Sequence, residues 1–388
     1  MTVVHLDLSA LQSYPLSCLN RGQDNEPKSF LYGNTMRTSI SSQCQKRAWR
    51  LQMEDELGEP SARTRRALIL LKETLSQAGW PETLATYAAN EVARSATAAG
   101  LKMDRQEPLR TQSLFYLPST TVQDLAVLCD THRAALEMAQ AQASTPADKD
   151  KKKAKSPEAL PPRDVIALLT ARTTTINLFG RMLAEVSGGF VAGALDVSHA
   201  FTVHTSDAQT DYFCAVEDWA ALDSNGSAHL NEADHAAGVF YRYASINVTD
   251  LLQALEDNAE QTARVLELFA DAFIHTPLQA KKTSTAPHTL PDLVHYTVRT
   301  RRPVSHANAF ETPVRAARGG GYLPPARQAL ADHAATLERL TGTRHRLAHG
   351  HASADPDALP PLGTRHNGYE ELIQACTRGA LAPHTSRT

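Results

Sequence analysis

The sequence predicts an α+β fold interrupted by insertions, and three observations predict it. Strand-like alternation appears in stretches that lie far apart in the chain. Helical periodicity fills the intervals between those stretches. Polar and Pro/Gly-rich passages break the pattern, and no internal repeat is visible.

Taken in order, Val4, Leu6, Leu8 and Ala10 alternate with His5, Asp7 and Ser9, the pattern of a half-buried strand. A Pro/Gly/Asn-rich loop carries the chain to about Ile40. Ser42 followed by Gln45 reads as a capping box, opening a helix to about Leu57 that Gly58 and Pro60 stop. From Ala62 to about His132 the pattern is mainly helical. The segment 142–163, containing ASTPADKDKKKAKSPEALPPR, cannot bury apolar surface and reads as a Lys-rich insert. After a further helix, Leu195, Val197, Phe201 and Val203 alternate along a strand. GVFYRYASINV is a second strong strand, rich in β-branched and aromatic residues. A helix is expected from about Asp250 to Ile274, with Val265, Leu268, Phe269, Ala272 and Phe273 at helical spacing. The remainder reads as a loop at ARGGGYLPPA, then a helix, then a polar tail.

A chain of 388 residues is long enough for two or three domains. No segment has the unbroken apolar length of a membrane span, and the N-terminus lacks a signal-peptide pattern. The five cysteines are odd in number, scattered and never CxxC. They read as reduced thiols of a cytoplasmic protein, with no disulfide framework and no zinc site. The formal net charge is only −3, yet the charges are sorted. Between Pro27 and Met53 lie Lys28, Arg37, Lys46, Arg47 and Arg50 and not one carboxylate. Between Thr276 and Gly321 lie Lys281, Lys282, Arg299, Arg301, Arg302, Arg315 and Arg318 against only Asp292 and Glu311. Met182–Tyr241, by contrast, holds no Lys or Arg but carries Asp196, Asp207, Asp211, Glu232 and Asp234 among its acids. Such sorting predicts one polyanion-binding surface and one acidic surface with a different use.

The helix after Ser42 gives that surface a chemistry. At 100° per residue, Gln43, Lys46, Arg47 and Arg50 share one arc, while Cys44, Ala48 and Leu51 share the next. The helix is therefore expected to turn an apolar flank inward and a basic face outward. Free amides at its N-terminus, beside the hydroxyls of Ser39, Ser41 and Ser42, make an anion site, and phosphate is the obvious anion. Arg21 and Lys28 lie just upstream. Residue types alone thus point to a nucleic-acid backbone and carry no base code.

SYPLSCLNR followed by SISSQCQKRAWR resembles the N-terminal signature of the CasC family, the backbone subunits of the type I-E CRISPR surveillance complex called Cascade. The similarity continues through LGEPSARTRRA, GRM at Gly180–Met182, DVSHAFTVHTSDAQTDYFCAVED, GSAHLNEADHAAGVFYRYASIN and SHANAFETPV, in family order over most of the chain. It implies a hand-shaped molecule with an RRM-like (ferredoxin-like) palm, a helical fingers insertion and a β-hairpin thumb. The palm would comprise residues 1–58, 188–199 and 236–388 with the tail, the fingers 59–187 and the thumb 200–235. Copies would polymerise along a CRISPR RNA, each thumb displacing a nucleotide at regular intervals, and the guide would pair with target DNA. The implied partners are CRISPR RNA, target DNA, further copies of the chain, and the large, small, 5′-end-capping and 3′-hairpin-binding subunits. Neither a membrane nor a cofactor is implied, and DNA cleavage would fall to a separate recruited nuclease-helicase.

Residues matching the family's RNA contacts are Arg21, Lys28, Ser41, Gln43, Lys46 and Arg50, with Ser42 beside them. Arg47 lies on the same basic arc but matches no family contact. Met182 and Thr202 match positions flanking the displaced nucleotide, where an apolar wedge compensates lost stacking, with Arg181 and Val203 beside them as candidate RNA contacts; a buried core position is the other reading of Met182. Arg318, in the RGGGY loop, is expected to follow the RNA backbone. Lys149, Lys151, Lys152, Lys153 and Lys155 fall where the family carries DNA-binding lysines on the fingers, and a plain flexible linker is the other reading.

The rival reading is an enzyme. Related backbone subunits of type III complexes use an Asp in a palm loop for metal-dependent RNA cleavage, and Asp24 and Glu26 follow Arg21 here. The spacing of His345, His349 and His351 is also ligand-like, but no carboxylate or Cys lies close, so exposed histidines in a polar tail are expected.

Overall fold

The computed structural model describes residues 2–144, 159–216 and 227–385. Two compact units make up the chain, one of Met1–Met53 with Ala194–Thr388 and one of Glu54–Gly193. The fold is α+β.

A ten-stranded sheet, mostly antiparallel, organises the first unit. Its order from one edge is Thr364–Arg365, Arg346–Ser353, Leu293–Thr300, Val4–Ser17, Ser227–Asn247, Ala200–Thr202, Thr35–Ile40 and Ser29–Tyr32. Two further strands, Leu195–Val197 and Gln209–Val216, pair with Ser227–Asn247 off that path. The opening strand is central: Leu8 pairs with Tyr296 on one side and Ala244 on the other. Because side chains alternate across a strand, Ser227–Asn247 feeds two cores. Val239, Tyr241 and Tyr243 pack with Ala326, Leu330 and Ala331 of the helix Leu323–Thr341. Phe240 packs with Ala48 of the helix Ser42–Leu57. Trp49 of that helix lies edge-on to Phe269, centroids 5.6 Å apart, and beside Phe273 at 5.4 Å, both from the helix Ala259–His275.

Four sequence expectations change. The opening strand is not half-buried: His5, Asp7 and Ser9 are as covered as the apolar residues between them, Asp7 at 3 % exposure. The covering is possible because these groups are bonded: Tyr243 donates to Asp7 at 3.0 Å, the Val304 amide donates at 3.1 Å, and Arg299 lies 2.9 Å away. The helix Ser42–Leu57 is capped by Ser41, whose Oγ accepts from the Cys44 amide at 3.3 Å. Gln45 does not fold back as a capping box requires but donates to the carbonyls of Ile40 and Ser198. The single helix expected at Asp250–Ile274 is two, Val248–Ala254 and Ala259–His275. Glu256 and Asp257 take left-handed backbone between them, and Asn258 recaps by accepting from the Gln261 amide at 2.9 Å. Finally, the polar tail is built into the fold, as a sheet strand, Arg346–Ser353, and a helix, Tyr369–Thr385.

The second unit is largely helical, with a two-stranded ribbon of Ser61–Thr64 and Phe115–Pro118. Leu71, Leu75, Leu84, Val92, Leu125 and Val165 lie in its apolar core. Buried Glu54 accepts from the Tyr116 hydroxyl at 3.1 Å and the Thr175 hydroxyl at 3.2 Å, and Glu59 accepts from the Thr174 amide at 2.8 Å.

Candidate nucleic-acid interface

The basic stretch of the first unit is held by backbone bonds. Arg21 pairs with Pro27 across a tight loop, closed further by the Gly22 amide donating to Glu26 at 2.8 Å. The Lys28 amide donates to Asn20 at 2.9 Å, and the Lys28 carbonyl accepts from Ser39 at 2.7 Å. Asn20 in turn accepts the Ser41 amide on its side-chain oxygen at 2.8 Å. The loop is thereby pinned against the start of the helix. With Ser41 and Cys44 amides satisfied, those of Ser42 and Gln43 have no acceptor among the described residues. Two open donors at the positive end of a helix dipole suit a phosphate.

The side chains around them divide. Gln43 and Arg47 are exposed, as are Arg21 and Lys28. Burial pushes the Cys44 thiol above its usual pKa, and the charges of Lys28 and Arg47 draw it partly back. Both cations therefore stand around the helix start. Lys46 instead donates to the Leu195 carbonyl at 2.9 Å, and burial lowers its pKa against the opposing pull of Asp196. Arg50 is only 7 % exposed, so it does not belong to an outward basic face, while Leu51, expected on the inward flank, is exposed. The outward face runs through Gln43 and Arg47, and Arg47 is the residue that family matching passed over.

Other cations and wedge residues divide in the same way. Arg37, from the middle of the acid-free run, is fully buried, donating to the carbonyls of Thr202 at 2.8 Å and Phe310 at 2.9 Å. Thr202 and Val203 lie in the core, and the Thr202 hydroxyl accepts the Thr38 amide at 3.1 Å. Their side chains are not surface contacts of the isolated chain. Arg318 is exposed, in a loop closed by the Ala317 amide on Gly321 at 2.9 Å.

The hairpin of Gln209–Val216 with Ser227–Asn247 presents Asp207, Asp211, Tyr212 and Phe213 to solvent, Tyr212 at 69 % exposure. Sequence reasoning singled out the acids but passed over the adjacent Tyr-Phe pair, whose signal was two aromatics next to an acid in a strand without lysine.

In the second unit, GRM splits by residue. Arg181 and Val191 bond each other's amide and carbonyl at 2.9 Å, closing a loop. The Arg181 guanidinium is buried and donates to four carbonyls, those of Gly189, Tyr116, Ala171 and Thr170. Four of its five N–H donors are used inside the fold, so the guanidinium anchors this loop from within, away from the surface where a phosphate would lie. Met182, the next residue, is 90 % exposed. Lys149, Lys151, Lys152, Lys153 and Lys155 lie outside the described residues.

Asp24 is exposed in its loop, and among the described residues no group of three or more His, Cys, Asp or Glu is arranged to hold a metal ion. The tail histidines are not exposed as expected. His345 is half-buried, its ring nitrogen 3.0 Å from the Thr300 hydroxyl, and His351 is buried within the sheet. All five cysteines are free. No helix among the described residues is long and apolar enough to cross a membrane.

A solved subunit of a CRISPR RNA-guided surveillance complex, pre-nicking, is 35 % identical over 97 % of this chain and 100 % of its own, with a TM-score of 0.86. A chain from another CRISPR RNA-guided surveillance complex is 33 % identical over 97 % of this chain and 100 % of its own, with a TM-score of 0.76. No curated protein matches the chain. The CT1975-like protein family model matches residues 6–376, and the chain belongs to that family.

Proposed function

We propose that the chain is a CRISPR RNA-binding backbone subunit of a surveillance complex of the type I-E Cascade kind. The observation that carries this reading is the pinned helix start. It brings open amides at Ser42 and Gln43 together with exposed Arg47, Lys28 and Arg21 and no competing carboxylate on the helix's first turns. Full-length likeness to surveillance-complex subunits supports the same role.

In this reading the unit of Met1–Met53 with Ala194–Thr388 supplies the palm and the thumb hairpin, and Glu54–Gly193 the fingers. Sugar-phosphate lies on Ser42, Gln43 and Arg47, with Arg21, Lys28 and Arg318 contributing charge. Met182, almost wholly exposed, acts as the apolar wedge against a displaced nucleotide, an apolar surface left in water until a base covers it. Lys46 and Arg50 set the helix rather than grip the strand. Copies follow one another along the guide, which pairs with target DNA, and other subunits close the ends.

Binding of the full chain to single-stranded RNA across a salt series tests this. Each lost phosphate contact changes the log–log salt slope by about 0.7. Arg47→Ala and Lys28→Ala should each flatten the slope by about that amount. Slopes equal to the parent chain in both variants contradict the assignment.

A further inference from the structure

A second basic concentration of the first unit lines a cavity beneath the helix Leu323–Thr341, with a volume of about 500 Å³. Its floor is the sheet face of Leu293–Thr300 and Arg346–Ser353, and its lip is the turn at Arg301–Arg302. The volume lies in the range of small-ligand sites, roughly 300–1,000 Å³.

Two features separate this cavity from an ordinary solvated patch. The first is charge accounting. Arg346 is met by Glu338 in two contacts, at 2.8 and 2.9 Å, and Arg299 by Asp7 at 2.9 Å. Arg301 and Arg302 have no carboxylate partner among the described residues, and both are exposed at the lip. Arg301 also holds left-handed backbone, φ +78°, a conformation that non-glycine residues rarely adopt. A strained, unpaired arginine beside a second one is a poor choice for stability and a good one for an oxyanion, which guanidinium forks bind in pairs.

The second feature is the apolar part of the lining. Val304, Ala334, Leu337 and Pro361 line the cavity together with the arginines, so it is both cationic and apolar. His345 and His349 line it too, and burial together with the neighbouring arginines lowers both below their ordinary pKa. They are neutral near pH 7, and His345, with one ring nitrogen on the Thr300 hydroxyl, keeps the other for a ligand. An inorganic anion has no use for the apolar lining, and an apolar ligand has none for the arginines.

We propose that this cavity is a nucleotide site, holding one nucleoside phosphate with its phosphate on Arg301 and Arg302 and its base against Val304, Ala334 and Leu337. The site is distinct from the helix-start surface and does not depend on the guide-binding reading. The nucleoside phosphate is either a free nucleotide or the terminal residue of a strand.

Calorimetric titration of the full chain with adenosine 5′-monophosphate tests the proposal, with adenosine and inorganic phosphate as separate probes. Saturable binding of the monophosphate is expected, with both fragments much weaker. Arg301→Ala with Arg302→Ala should weaken it at least about tenfold, the worth of a charge-assisted hydrogen bond. Leu337→Trp should block it by filling the cavity while leaving both arginines in place. Absence of saturable binding at about 1 mM ligand, a weak limit, overturns the proposal. So does equal affinity for phosphate alone, or binding indifferent to both variants. Competition by a short RNA with a terminal phosphate assigns the strand end, and no competition assigns the free nucleotide. Running these titrations in the Arg47→Glu chain keeps RNA at the helix start from masking the cavity, and retention of guide RNA by the parent chain is scored separately.

Discussion

Arg37 and Arg47 sit in one acid-free run and do opposite work. Arg37 is sealed inside, its guanidinium shared among carbonyls of Thr202, Phe310 and Glu311. Removing it leaves several buried acceptors unsatisfied, so Arg37→Ala should cost about 3 kcal/mol in chemical denaturation. Arg47→Ala should stay within about 0.5 kcal/mol of the parent chain, since its side chain is exposed, and lower RNA affinity instead. The same contrast holds at GRM: Arg181→Ala should destabilise its unit, whereas Met182→Ala should leave the melting temperature unchanged and impair assembly on RNA. Residue type does not separate Arg37 from Arg47, and at GRM it points the wrong way, since the charged residue is the buried one. What separates them is the covering chain, which arrives at Arg37 from residues 202 and 310 and at Arg181 from residues 116 and 170, separations that local spacing does not encode.

At the scale of elements, periodicity was most legible where the alternation was apolar. The long strand through Phe240 and Tyr241 and the span of the first helix read directly, and the helix bearing Phe269 and Phe273 did so apart from the break that precedes it. Misreadings came where polar residues are buried. His5, Asp7 and Ser9 mimic a solvent face, and RLAHGHAS mimics a tail, because their hydrogen-bond and packing partners lie elsewhere in the chain. The first-helix cap was off by one residue for a related reason: Ser41 and Ser42 are equivalent by composition, and Asn20 decides between them by bonding the Ser41 amide. Ser41→Ala should therefore cost about 1 kcal/mol and Ser42→Ala less. The hairpin carries exposed Asp207 and Asp211, and a head-to-tail contact with the basic surface of a following copy would be heterologous and filament-forming. Reversing both to Lys should weaken assembly on sizing columns while the monomer still binds RNA.

The molecule as a whole carries a pH dependence written in its covered histidines. Burial lowers His5, His204, His295, His333 and His351, and takes His306 to about 3. Unfolded, each binds a proton below about pH 6.5, whereas the folded chain does not until lower pH. The unfolded state thus holds more protons in that window, and stability rises with pH. Thermal stability should be full above about pH 7 and fall progressively toward pH 5, by proton uptake of more than one equivalent on unfolding. The central claim, that this chain lines a guide, is tested most directly by co-expressing it with the other subunits of its complex and a CRISPR array, then sizing the RNA that copurifies. The account predicts RNA of one uniform length, retained by the parent chain and reduced when Arg47 and Lys28 are both replaced by Glu. A complex or monomer free of nucleic acid, or RNA of random length unaffected by those replacements, would contradict it.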